Sequence, residues 1–287
     1  MVTASGLKAN LKIFGLLTIL TGIFIGVGYA LAGTGGMIIG LVFAGLMNFA
    51  SYWFSDKLVL KMYGAEQITE EQNPGLHNRL EKLAENAGIP KPRLYKSSMD
   101  VPNAFATGRN PEKGVVCVTD GLVNNLDDDE VDAVIAHELA HIKNRDTLIN
   151  ASVATIAGAI SILAEMAFWG AMFGGEEDGA EMVSALAFMI ITPIIATIIR
   201  MAISRKMEYR ADSNAVQIHG QKEGLSSALT KIHEEAKKKP TKHVSKSQEA
   251  GANLFIDNPF ASDKLTKWFS THPKLDDRIS NIEATNL

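Results

Sequence analysis

Apolar residues in this 287-residue chain are gathered into four long runs rather than spread evenly. Ile13–Ala32 and Met37–Phe54 contain no charged residue, Thr147–Gly175 contains only Glu165, and Met182–Ile199 contains none. At about 1.5 Å per residue, each run is long enough as a helix to cross a hydrocarbon layer of about 30 Å. Buried core helices are the other use of such runs, but uncharged stretches this long are uncommon in soluble domains of this size. Four transmembrane helices are therefore expected.

Elsewhere the pattern has a shorter period. Pro74–Gly88 places Leu76, Leu80 and Leu83 on one side of a helix. Arg93–Ser98, Asn103–Thr107 and Gly114–Thr119 read as short strands between Pro, Asp and Gly turn signals. Asp127-Asp128-Asp129-Glu130 suits the positive end of a helix, and Val131, Val134, Ile135, Leu139 and Ile142 then recur at helical spacing. Residues 203–287 read as mostly helical around a long polar stretch. The expected fold is mainly α with a small β-sheet. In this reading residues 1–55 and 147–202 each supply two transmembrane helices, and residues 56–146 and 203–287 form the two parts of one domain outside the lipid.

Charge sets the orientation. Lys8 and Lys12 precede the first run, Lys57 and Lys61 follow the second, Lys143 and Arg145 precede the third, and Arg200, Arg205 and Lys206 close the fourth. The loop between the first two runs has no Lys or Arg, and Gly174-Gly175-Glu176-Glu177-Asp178-Gly179 is acidic. Basic residues stay on the cytoplasmic side, so both termini and the polar domain are expected in the cytoplasm. Lys8, Lys12 and Ala30-Leu31-Ala32 also resemble a cleavable leader, but the apolar core is long for one and a second span follows closely, so a retained anchor is expected. The single cysteine, Cys117, fits a reducing compartment and a buried strand position. A formal charge of −4, with basic residues tracking the membrane, leaves no nucleic-acid footprint.

The candidate chemistry is concentrated in His137-Glu138-Leu139-Ala140-His141. Residues four apart share a helix face, so both imidazoles can reach one ion, and zinc suits two neutral imidazoles, a carboxylate and an open position. Glu138 is turned by about 100° from His137 and sits beside such an ion, placed to take a proton from water. Two solvated histidines on an amphipathic helix are the bland alternative. A third ligand is needed, and Glu208 in Arg205-Lys206-Met207-Glu208-Tyr209-Arg210-Ala211-Asp212 is the choice. Asp212, one turn on, is placed to accept from the free ring nitrogen of a zinc-bound histidine. About six residues separate His141 from Thr147, or roughly 9 Å if the helix continues, which would hold the ion near the inner membrane surface.

Taken in order, these features resemble the HtpX-type membrane zinc metalloproteases, which are related to the CAAX prenyl proteases. The resemblance covers nearly the whole chain. It includes Val101-Pro102-Asn103-Ala104-Phe105-Ala106-Thr107-Gly108, similar to the family's substrate-side strand, and Thr271-His272-Pro273 followed by Arg278-Ile279. It implies a multi-pass protein of the bacterial inner membrane with a cytoplasmic gluzincin-type catalytic domain. It also implies one Zn2+ held by His137, His141 and Glu208, with Glu138 as general base. Asn103 and Ala104 would present an edge strand to an extended peptide. His272 is the oxyanion donor that the resemblance offers, and Arg278 a substrate-binding or structural partner. The activity implied is cleavage of misfolded or damaged membrane proteins. A CAAX-type peptidase is the alternative enzyme, but the chain lacks the extra spans such proteases use to enclose their site. A membrane scaffold or transport protein is the non-enzymatic alternative, supported only by Glu165 and Pro193. The remaining histidines, His77, His219, His233 and His243, show no ligand spacing. Residues 237–264 read as a cover over the site or a plain insertion.

Overall fold

The computed structural model describes residues 4–150, 152–153, 203–238, 255–256 and 273–287. It divides into two compact units, residues 1–53 with 149–202 and residues 54–148 with 203–287. The third and fourth apolar runs beyond Val153, with Glu165, Pro193 and the acidic loop 176–179, lie outside the described residues.

Helical backbone runs through Ala4–Met62 (α1), and the part of it in the first unit, up to Trp53, folds back on itself. Gly33 turns with φ 57°, and Asn48 Nδ2 donates to Thr21 Oγ1 at 3.1 Å across 27 residues. A straight helix would hold those side chains about 40 Å apart. The two limbs touch backbone to backbone, because a Cβ on Gly40 would lie 2.2 Å from the carbonyl oxygen of Phe24. Small residues allow this approach between apolar helices. Leu20, Phe24 and Ala44 are buried between the limbs, while Phe14, Ile39 and Leu46 face outward. Leu11–Tyr29 and Gly33–Phe54 are each long and apolar enough to cross a membrane.

The second unit is built on a four-stranded mixed sheet of order β1-β2-β4-β3. β1 (Glu66–Gln67) lies antiparallel to β2 (Arg93–Ser97), which runs parallel to β4 (Val115–Thr119). β3 (Ala104–Thr107) closes the order as an edge strand antiparallel to β4, with Phe105 opposite Cys117. β4 is buried along its length, as expected for a strand covered on both faces. Its alternation divides the core. Val116 and Val118 join the large cluster with the helices, and Val115 and Cys117 join Tyr63, Phe105 and Phe255 on the other face.

Helix boundaries follow from local chemistry. α2 (Pro74–Ala87) starts with Pro at its first position, is capped by Asn73 accepting from Leu76 N–H, and stops at Gly88 with φ 69°. α3 (Asp120–Asn125) is capped by Thr119. α4 (Asp128–Asn144) begins with a reciprocal capping box between Asp127 and Glu130. Among the described residues the unit also contains the start of a helical stretch at Asp146, helical residues 203–219 (α5), α6 (Glu223–Lys238) and α7 (Leu275–Ala284). α4 runs through the middle and packs against α2, α6 and β3. Its residues from Val131 to Ile142 are buried apart from Asp132, so the helix carrying the two histidines is a core element. The described residues are mainly helical around a small mixed sheet.

Candidate active site

On α4 the i, i+4 spacing brings His137 Nε2 to 3.1 Å from His141 Nε2. Glu208 arrives from α5, its Oε2 3.6 Å from His137 Nε2 and its Oε1 3.4 Å from His141 Nε2. All three residues are buried. Their ligand atoms lie within 4.8 Å of one another, a group suited to hold a metal ion.

The spacing fits zinc. Ligand atoms at about 2.0–2.2 Å from a tetrahedral zinc stand about 3.3–3.5 Å apart, close to the observed edges. The second ring nitrogens strengthen the case. His137 Nδ1 lies 3.0 Å from Asp212 Oδ1, and His141 Nδ1–H donates to Asp146 Oδ2 at 3.1 Å. A carboxylate can only accept, so these contacts favour the tautomers with the proton on Nδ1, which leave both Nε2 atoms free to turn toward one ion. A metal ion between the two Nε2 atoms would satisfy both of them and the buried Glu208 carboxylate together.

Burial pulls the His137 pKa down, but hydrogen bonds with Asp212 and Glu208 more than offset this and leave it raised. Burial likewise opposes protonation of His141, and Asp146 with Glu208 raise its pKa well above the ordinary value. Asp212 would be pushed up by burial, yet the adjacent Arg278 guanidinium holds its carboxyl below the usual range. The carboxylates of Glu208, Asp212 and Asp146 around the two imidazoles make this pocket favourable to a cation.

Behind the ligands, Arg278 Nε and Nη2 donate to Asp212 at 2.9 and 2.6 Å, and Nη1 stands 3.5 Å from Glu208 Oε2. Arg278 is 3% exposed, so its charge is spent on holding this carboxylate pair. Glu138 is buried next to His137 and acts electrostatically on both Arg278 and Cys117. Burial first, then Glu138, pushes the Cys117 thiol up, which suits a core residue and not a nucleophile.

Ala104 opens edge strand β3, opposite Val118. Asn103 precedes it, fully buried, with its backbone N–H donating to Thr119 Oγ1 at 2.9 Å. Its side-chain Oδ1 accepts from Ile256 N–H at 2.9 Å, so the amide is engaged with the chain itself. Phe255, also fully buried, packs on Tyr63 with ring centroids 5.7 Å apart. His272 lies outside the described residues. Sequence reasoning did not find Asp146 or its partner Arg210. The available signal was an Asp one position beyond the cap of the histidine helix.

A buried pair of histidines on one helix, a glutamate from a second and an intervening glutamate define a metallopeptidase of the gluzincin type. The chain belongs to peptidase family M48, whose profile matches residues 70–286, and it is a metalloprotease. It is 47% identical over 272 residues to the protease HtpX homolog of Desulforapulum autotrophicum, spanning 93% of this chain and 87% of that one. Identity to the Pyrococcus furiosus HtpX homolog is 48% over 270 residues, covering 93% and 92% of the two chains. Legionella pneumophila protease HtpX is 45% identical over 278 residues, covering 96% and 98%. The resemblance to HtpX-type proteases thus holds over almost the whole sequence. Among solved structures, Ste24p of S. mikatae matches with a TM-score of 0.55 at 20% identity, over 98% of this chain and 66% of that longer one. That likeness speaks for a shared fold.

Proposed function

We propose that this protein is a zinc-dependent membrane endopeptidase that cleaves misfolded or damaged membrane proteins at the cytoplasmic face of a bacterial inner membrane. The observation that carries the proposal is the buried His137–His141–Glu208 triangle with Glu138 on the same helix turn. Zinc, when bound, supplies Lewis acidity, polarising a carbonyl oxygen and acidifying water. Glu138 accepts a proton from the attacking water and returns it to the leaving amine. Asp212 keeps His137 in the tautomer that presents Nε2, and Arg278 keeps Asp212 charged. β3 aligns an extended peptide along the sheet edge, with Asn103 and Ala104 setting where it begins. His272 is the donor for the developing oxyanion. Cleavage of a protein with an unfolded cytoplasmic loop by the purified full chain in detergent tests the activity. Chelation should abolish it and zinc restore it; a zinc-loaded protein that cleaves no protein substrate overturns the reading.

The topology proposed with it has four spans, from residues 1–55 and 147–202, and a cytoplasmic catalytic domain from 56–146 and 203–287. The distribution of Lys and Arg at the ends of the apolar runs supports it. With Cys117 replaced, a cysteine at Asp178 should react with a membrane-impermeant thiol reagent in intact cells. Cysteines at Lys61 or Ser245 should react only after permeabilisation. The reverse pattern would put the site outside.

A further inference from the structure

Resting on the reading of His141 as a metal ligand, we infer that Asp146, clamped by Arg210, is a positioning residue for that ligand. The pair ties it to the helix that carries Glu208.

Asp146 is fully buried and both its oxygens are used. Oδ2 accepts from His141 Nδ1–H at 3.1 Å, and Oδ1 accepts a short hydrogen bond from Arg210 Nη2. The backbone is shaped to allow this. α4 ends at Asn144, and Arg145 takes a left-handed φ of 59° while its N–H bonds back to Ile142 and His141 carbonyls. That turn interrupts the helix for one residue before helical backbone resumes, and Asp146 meets His141 in the last turn of α4. A non-glycine residue in this conformation is uncommon, and the surrounding contacts hold it there. Thr147 Oγ1 then donates to Gly108 O at 3.0 Å, pinning the residue after Asp146 as well.

Arg210 reaches Asp146 from α5, two residues beyond Glu208. The ion pair therefore sets the rotation of His141 and the register of α5 against α4 together. The site has two such arms. His137 leans on Asp212 and Arg278, and His141 leans on Asp146 and Arg210. The first arm is buried throughout, but the Arg210 side chain is 44% exposed. The second arm is the one open to water.

The test is zinc affinity of the full chain in detergent, measured by competition with a chelator, beside the visible spectrum of the cobalt-loaded protein. Asp146→Ala should weaken zinc binding by about 10–100-fold and alter the cobalt spectrum. Asp146→Asn keeps an acceptor for His141 and should recover most of that loss; no recovery would make Asp146 a mere ion-pair partner and overturn the proposal. Arg210→Met should weaken binding several-fold in the parent and add nothing in the Asp146→Ala background. Should the alanine variant fail to fold, Arg210→Met decides, since unchanged zinc affinity there overturns the inference. His141→Ala separates the ligand role of His141 from the positioning role of Asp146. If it keeps tight zinc, the ligand reading fails; if it loses zinc while Asp146→Ala does not, only the positioning role fails.

Discussion

Glu138→Gln is expected to retain zinc while peptide hydrolysis falls by at least about two orders of magnitude. Glu138 sits between the two histidines in sequence, but the helix turns it away from their common point by about 100°. The three groups that converge there are His137, His141 and Glu208, so exchanging one Glu138 oxygen for an amide removes no ligand atom. It removes the base. Gln has nearly the same volume as Glu, which matters because residue 138 is buried and a shorter side chain would leave a void beside Arg278. The check is bound-metal analysis beside turnover on one protein substrate. Near-normal turnover with full zinc would overturn the mechanism.

Glu208→Ala is expected to strip the site of tight zinc binding, and Asp212→Ala to act by a different route. Glu208 supplies the third corner of the ligand triangle, 3.6 Å from His137 and 3.4 Å from His141. Without it two imidazoles remain, one fewer than the three protein ligands of a catalytic zinc site. Asp212 touches the metal position only through His137, so its removal should weaken zinc by about 10–100-fold. It should also unfold the protein more readily. Arg278, 3% exposed, would lose its main counter-charge, and breaking a buried pair from one side costs about 3–5 kcal/mol. Thermal melting of the metal-free variants separates these effects. Asp212→Ala should lower the melting temperature sharply, Glu208→Ala much less, and Asp212→Ala with Arg278→Met should recover part of the loss. A Glu208→Ala protein that binds zinc like the parent would require another third ligand.

Much of the architecture was legible because it is written in local periodicity. The capped helix Pro74–Ala87 was read to within a residue from Pro74, Gly88 and the leucine spacing. The strands at 93–98, 103–107 and 114–119 each match to within a residue, since short apolar runs between turn residues suffice to define them. β1 was not visible, because two exposed residues carry no alternation and exist as a strand only by pairing with Lys96 and Tyr95. α3 was missed for a similar reason. Its six residues are too few for a period, and its start depends on Thr119, which also serves as the end of β4.

The metal site divides along the same line. By itself, the sequence determined that His137 and His141 share a face of a helix beginning near Asp127, because 3.6 residues per turn is a property of neighbouring residues. It also determined that the first apolar runs form two helices, Leu11–Tyr29 and Gly33–Phe54, long and apolar enough to span lipid. Only the tertiary structure decided which distant side chains meet there. Arg278 closes on Asp212 across 66 residues, Arg210 on Asp146 across 64, and Ile256 on Asn103 across 153. Such contacts leave no periodic trace, because they arise where separately capped helices dock on one core and their charges can find partners only after that core has excluded water.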